Sequence, residues 1–435
     1  MSDLRPRSYS SKKPGTLARH GQLRSHGPVR TLAKFVAAAL AVVLVSGASV
    51  AAVAVWDVVG NVKPGVALGS TGENAPPLVG PIKGAVNVAI IGSDSREGQG
   101  DGFGDPNEET AVLNDVTMLL HLSEDHKSAT VISFPRDMFV SIPSCPDPAD
   151  PDNPFSAMSA QKINTTLGYG GMNCTVLTLE ALTGMEIDYA ATVQFLGVVA
   201  MSTAVGGVPV CVSTRIEDTH TDLVLDPGMH NLEGLEALQF LRTRHGVGDG
   251  SDLSRISNQQ NFLSSLVREV KSKDTLTNPV KLYGLARAAV DNMELSQSLT
   301  SVDTIVSIAQ VLKDIDLDKV VFVQYPVGDV EGGVAPKWDA ADEMFAALAK
   351  DQPIKLSGKL GQGAVAKDGS SSSANPSPKP TASSDGGEAT NASSSSESDA
   401  PETSPSPAPG QLPDFVTGQT AKDVTCSAGR TLDNQ

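Results

Sequence analysis

From residue 85 to about 352 the hydrophobic positions change period repeatedly. Short runs of β-branched and aromatic residues alternate with stretches whose apolar positions recur every three or four residues. The short runs predict strands over 85–92, 115–122, 129–134, 138–142, 189–194, 207–213 and 319–325. The longer stretches predict helices over 174–183, 233–240, 254–271, 277–290 and 298–314. Mixed order of this kind implies one α/β domain, a central mixed β-sheet with helices on both faces.

Outside that body the pattern breaks. Residues 35–56, "FVAAALAVVLVSGASVAAVAVW", carry no charge over 22 positions, enough for one helix to cross a bilayer. The basic stretch 1–34 precedes this run and Asp57 follows it, so the positive-inside bias places 1–34 in the cytoplasm and the body outside. Flank and run are both longer than in a signal peptide. A single-pass, uncleaved anchor in the cytoplasmic membrane is therefore expected, despite a small-residue site at Ala52-Val53-Ala54. Residues 57–83 read as a Gly/Pro-rich stalk and 84–352 as the folded body. Residues 353–412, mostly Ser, Pro, Gly, Ala and acid, lack the apolar surface to fold and read as a disordered linker. A short segment, 413–435, follows, either docked on the body through Cys426 or loose.

Charge narrows the function. The formal net charge is -17, and eight of the 33 basic residues but one of the 50 acidic ones fall in the first 34 positions. A body that acidic repels nucleic acid, so no nucleic-acid partner is expected. Cys145, Cys174, Cys211 and Cys426 all lie on the expected outside, where disulfides persist, and none belongs to a CxxC pair. Cys145 and Cys174 flank one segment and are the first candidates for a bridge, although spacing does not fix connectivity. No Walker A, HExxH or GxSxG sequence occurs.

Against this acidic background, two groups of charged residues stand at element ends. The stretch "SATVISFPRDMFVSIP" places Pro135-Arg136-Asp137 between two predicted strands, as a plain turn or as the charged corner of a site. In an antiparallel pair the start of one strand and the end of the next share an edge, which brings Asp115 and Arg136 together. If the first strand ends on that edge, "SDSR" adds Asp94 and Arg96. The second group is "FLRTRHGVGDGSDLSRISNQQ". Arg242 and Arg244 point the same way if the segment is extended. Asp252 or Ser254 is expected to cap a helix that sets Arg255 and Gln259 on one face. Guanidinium forks and a helix start suit a phosphate or pyrophosphate. Two carboxylates beside them suit Mg²⁺, which takes a few carboxylates plus phosphate oxygens. Taken singly, each residue could instead be an ion pair capping a loop.

At these residues the chain resembles the LytR–CpsA–Psr family of cell-wall ligases. The matching stretches are "NVAIIGSDSR", "NDVTMLLHL", "ISFPRDMFVSIP", "KINTTLGYGG", "LTGMEIDYAATVQF", "VGGVPV", "LEGLEALQFLRTRH" and "SDLSRISNQQNFL", in family order. The resemblance implies an α/β/α domain with a hydrophobic tunnel for a polyprenyl tail. It implies a phosphotransferase that moves a phospho-linked glycopolymer from a polyprenyl-pyrophosphate carrier to a peptidoglycan acceptor, with Mg²⁺ or Mn²⁺. By motif position, Asp94 and Asp115 are the expected metal carboxylates. Arg136, Arg242, Arg244, Arg255 and Gln259 are the expected pyrophosphate set, with Arg96 ordering the loop. Departures are a longer acidic loop between Asp94 and Asp115, Asn258 where the family often has Arg, and Leu241 in place of an aromatic. Helix 298–314, with Val302, Ile305, Ile308 and Leu312 at helical spacing, is a candidate tunnel wall. The rival readings are a lipid-pyrophosphate hydrolase at the same site and a non-catalytic wall-binding or regulatory protein.

Overall fold

A computed structural model describes residues 28–69, 84–103, 107, 108, 110–150, 152–272, 278–367 and 412–435. The basic stretch through residue 27, stalk residues 70–83 and linker residues 368–411 lie outside the described residues. The helices are α1 Pro28–Gly60, α2 Thr166–Thr183, α3 Phe195–Val205, α4 Leu235–Arg242, α5 Asp252–Lys271, α6 Pro279–Asn292, α7 Val302–Asp314 and α8 Trp338–Leu348. The first strands are β1 Val86–Ser93, β2 Asn114–Leu122, β3 Ala129–Phe134, β4 Phe139–Ile142, β5 Met158–Lys162 and β6 Tyr189–Val193. Then come β7 Val208–Thr214, β8 Ile216–Asp218, β9 Leu223–Leu225, β10 Gly228–Leu232, β11 Met293–Leu295 and β12 Val320–Gln324. The last are β13 Val327–Val330, β14 Gly333–Pro336, β15 Ala364–Ala366, β16 Gly418–Thr420 and β17 Thr425–Ala428.

The first compact unit contains most of α1, whose segment Leu32–Val58 is long and apolar enough to cross a membrane. The second unit is built on a seven-stranded mixed sheet, ordered β11-β6-β1-β2-β3-β12-β16. Its central strands are apolar on both sides because both faces are covered. Ala89, Ile91 and Leu119 join α2 and α8 in one core, around Val176, Leu179 and Met344. Val88, Met118 and Leu120 face the other way, onto Ile308 and Leu312 of α7 and Leu263 and Val267 of α5. A third core lies between α4, α5 and a four-stranded sheet ordered β10-β7-β17-β15.

The segment beyond the linker is docked. β16 adds an edge strand to the main sheet and β17 inserts between β7 and β15. Disulfides join Cys211 to Cys426 and Cys145 to Cys174. The chain also keeps packing past residue 352: Ile354 is buried and β15 pairs with β17. Likewise, part of the expected stalk is attached, with Leu68 buried and Val66 bridged to Ser296. Both short segments sit in regions whose composition favours loops, and tertiary packing overrides it.

Candidate active site

β1 and β2 are antiparallel, with Ser93 opposite Asn114, so Asp94 and Asp115 leave the sheet at one edge. Gly92 faces Val116 there. A Cβ on Gly92 would come 2.9 Å from the Val116 Cβ, so glycine lets the two strand ends approach. β3 runs back along β2 and returns Arg136 to the same edge, its Nη1 2.6 Å from Asp115 Oδ1. β3 does not pair with β4; β4 pairs with β5. Pro135-Arg136-Asp137 is therefore a corner between two sheets rather than a hairpin turn.

α5 enters this edge, with one correction to its cap. Ser251, not Asp252 or Ser254, is the N-cap, and its side chain accepts the Ser254 N–H. Asp252 is thereby released to organise arginines. Its Oδ2 accepts the Arg136 backbone N–H at 3.0 Å, and its Oδ1 lies 2.6 Å from Arg255 Nη2. Arg255 Nη2 also donates to the Asp115 carbonyl at 2.8 Å. The Nε atoms of Arg136 and Arg255 are buried without a hydrogen-bond partner. A buried guanidinium donor left open is costly, and an anionic oxygen is the ligand that closes it.

Burial works against charge on Arg136, yet the carboxylates of Asp115, Asp252 and Asp137 hold its pKa above the usual value. Burial likewise works against charge on Asp137. The Lys162 ammonium at 2.8 Å, with Arg136 and Arg244, outweighs it and keeps that carboxyl below the ordinary range. Asp94 differs. Burial pushes its carboxyl up, the Leu113 N–H at 2.6 Å opposes, and the neighbouring charge of Asp115 adds to the rise.

The pair Arg242 and Arg244 does not lie on an extended segment. α4 runs through Arg242 and Thr243 caps it, so the two side chains take separate directions. The Arg242 guanidinium stands 4.4 Å from the Phe195 ring centroid, within cation–π range. Arg96 lies 5.2 Å from the same ring and donates to the Phe103 carbonyl. Arg244 Nε donates to the Gly250 carbonyl.

Behind this rim is an apolar cavity of about 440 Å³. Its walls come from β1, β2, β6, α3 and α5, through residues such as Ile90, Met118, Val198, Met201 and Leu263. Asp115, Arg242, Arg255 and Gln259 line its polar end. Asp94, Arg96, Arg136 and Arg244 do not line it. Asp94 couples to Asp115, Arg136 pairs with Asp115, Arg244 acts toward Asp137, and Arg96 joins through Phe195. Gln259 also donates to the Leu241 carbonyl at 3.1 Å, tying α5 to α4.

The tunnel-wall expectation for helix 298–314 is corrected. Among the described residues no α7 side chain lines the cavity; Ile308 and Leu312 pack in the core and Ile305 is exposed. The helix that lines it beside α5 is α3, which the sequence pattern did not single out. Its run "FLGVVAMSTAV" is apolar all round and lacks an amphipathic period. The usable signal was Gly206-Gly207, where a positive φ of 89° ends the helix. Phe195 and the organising role of Asp252 were also missed.

Asp94 and Asp115 fit a divalent cation by donor chemistry. They are hard oxygen donors in mutual electrostatic contact, and a cation between them would relieve the repulsion. Among the described residues no group of three or more His, Cys, Asp or Glu side chains stands together to hold a metal ion.

An α/β domain whose apolar cavity ends at clustered guanidinium groups is the class that fold and site define. The chain belongs to the LytR_cpsA_psr family, whose model matches residues 71–350. It is 31% identical over 356 residues to the cell wall biosynthesis protein LcpA of Corynebacterium glutamicum, covering 74% of this chain and 64% of that protein. It is 28% identical over 241 residues to the polyisoprenyl-teichoic acid–peptidoglycan teichoic acid transferase TagT of Bacillus subtilis, covering 52% of this chain and 68% of that one. The chain thus spans less than two thirds of the length of LcpA. A solved LytR-Csp2A-Psr enzyme from Actinomyces oris superposes with a TM-score of 0.48 at 19% identity, over 67% of this chain and 97% of that one.

Proposed function

We propose that the protein is a membrane-anchored phosphotransferase. It moves a phospho-linked glycopolymer from a polyprenyl-pyrophosphate carrier onto a peptidoglycan hydroxyl. The observation that carries this reading is an apolar cavity lined at its polar end by Arg242 and Arg255, the latter buried with an Nε that no hydrogen bond satisfies. An amphiphile with a long apolar tail and a diphosphate head meets both demands. Each tail CH₂ buried contributes about 0.8 kcal/mol. Family membership and the transferase relative TagT support the reading.

The acceptor hydroxyl oxygen attacks the phosphorus that bears the glycan. The bond from that phosphorus to the bridging oxygen breaks, and polyprenyl monophosphate leaves with the electron pair. Asp94 and Asp115 are the rim carboxylates toward which the hydroxyl proton passes. Arg136, Arg242 and Arg255 hold the diphosphate and stabilise charge growing on the leaving phosphate. Arg244 shapes the corner through Asp137, and Gln259 fixes α5 against α4. Asp94 and Asp115 would hold a bound Mg²⁺, which would supply neutralisation of the phosphate charge. Anchoring through α1 confines the chain to the membrane that supplies the lipid, which raises the effective concentration of that lipid.

A purified full-length protein in detergent, given a polyprenyl-pyrophosphate-linked oligosaccharide and peptidoglycan fragments, should yield glycan–phosphate–peptidoglycan and polyprenyl phosphate in equal amounts. Free glycan phosphate in place of the linked product would assign the site to a hydrolase. Neither product, with a wall phenotype untouched by Arg242→Ala, would leave a binding protein.

A further inference from the structure

A second cleft, of about 450 Å³, opens at the start of α8. Trp338, 54% exposed, and Phe415, 48% exposed, are among its lining residues, with Lys337, Asp339 and Glu343. The Lys337 ammonium stands 4.1 Å from the Phe415 ring centroid. Folding accounts for buried aromatics, not for two exposed ones facing a common cleft. Neither is exposed through loose attachment. Phe415 sits between Leu412 and Val416, both 2% exposed, and Trp338 begins a helix whose Ala340, Ala341 and Met344 are buried.

Exposed aromatic rings beside carboxylates, which can accept hydroxyl hydrogens, and an ammonium match a sugar ring, apolar on its faces and polar at its edge. The charges select among sugars. Two carboxylates against one ammonium disfavour an anionic polymer, which the arginine rim suits, and accept an uncharged saccharide. The cleft is also joined to the rim. The Val334 N–H donates to the Asp137 carbonyl at 3.2 Å, and Val334 bridges Met138. Three residues on, just past the end of β14, Lys337 caps the start of α8. We propose that this cleft binds an uncharged saccharide strand and, given the transfer reading above, that the strand is the acceptor. Pro413 and Phe415 supply one wall, so the segment beyond the linker completes the subsite.

The chain has two tryptophans, Trp56 and Trp338, so Trp56→Phe in the full-length protein leaves Trp338 as the only reporter. Titration with a soluble β-1,4-linked N-acetylglucosamine oligosaccharide should change its fluorescence saturably. Phe415→Ala and Glu343→Gln should each weaken binding about tenfold with the melting temperature unmoved, whereas Arg242→Ala should bind as the parent does. With a lipid donor, Phe415→Ala should raise KM for the glycan acceptor and leave KM for the donor. No saturable change in the parent, or full binding by both cleft variants, would overturn the proposal. Saccharide binding without any transfer by the parent removes the acceptor role and the proposed function but leaves the saccharide cleft standing.

Discussion

The rim and the interior of the cavity are held by different forces. At the rim four residues are tied in a ring: Asp115 to Arg136, Arg136 to Asp252, Asp252 to Arg255, Arg255 to the Asp115 carbonyl. The interior has no such directional ties; Val198, Met201 and Leu263 line it by shape. Directional groups specify a ligand atom by atom, and shape specifies only length and bulk. The rim should therefore fail sharply under substitution and the interior gradually.

The sharpest break is at Arg255. Its replacement by Ala opens the ring and leaves Asp252 facing Arg136 alone. Transfer should fall about 10²- to 10³-fold, the usual effect of removing one preorganised charge donor. Because the Arg255–Asp252 pair is buried, stability should also fall, by about 3 kcal/mol. Arg242→Ala separates the two effects: Arg242 is only half-buried, so kcat/KM should drop with the denaturation midpoint nearly unchanged.

The difference between rim and interior also explains what could be read from the chain alone. Asp94, Asp115 and Arg136 were legible because strand ends have fixed partners: antiparallel pairing puts Ser93 opposite Asn114 and runs β3 back beside β2. Arg255 and Gln259 were legible because helical spacing keeps them on one face, and both line the cavity. Apolar side chains carry no comparable address. Ile308 and Val198 look alike in sequence, yet one fills the core and the other lines the cavity. Helical period favoured α7, and α3, apolar on every side, offered none. Asp252 was hidden by its position, since an acid beside a helix start reads as a cap and Ser251 had taken that place.

Two substitutions sharpen this distinction. Ile308→Ala should cost about 2–4 kcal/mol by denaturant unfolding, as buried truncations do. It should leave the preference between short- and long-tailed donors unchanged; a changed preference would put α7 back at the cavity wall. Val198→Trp should do the reverse. Displacing two methylenes from the cavity costs about 1.6 kcal/mol of tail binding, or roughly tenfold in kcat/KM for the long-tailed donor. Short-tailed donors should be spared.

The smallest effect concerns Asp94, a rim acid whose proton affinity the fold raises. Burial, then the charge of Asp115, lifts the Asp94 pKa above its ordinary value of 3.8. A raised carboxyl pKa means that the folded protein holds its proton longer than the unfolded chain does. Ionised Asp94 therefore costs stability above its folded pKa, and the cost disappears as pH falls through that value toward 3.8. Mg²⁺ bound at the ionised pair reverses the sign near neutral pH. At ten times its Kd the ion should stabilise the protein by about 1.4 kcal/mol, read as a rise in Tm. The gain should vanish on acidification as protons displace the ion, and should be absent in Asp94→Asn at every pH. Asp188 is the internal control. Burial, first, and its acidic neighbours push its carboxyl up to about 6, but that carboxyl accepts the Asn87 backbone N–H, and Ser298 donates to the Asp188 backbone carbonyl, away from the rim. Asp188→Asn should remove an acid-sensitive cost of its own while leaving the Mg²⁺ response intact. A Mg²⁺-dependent Tm rise that survives Asp94→Asn would place the ion elsewhere and reduce the rim to arginines alone.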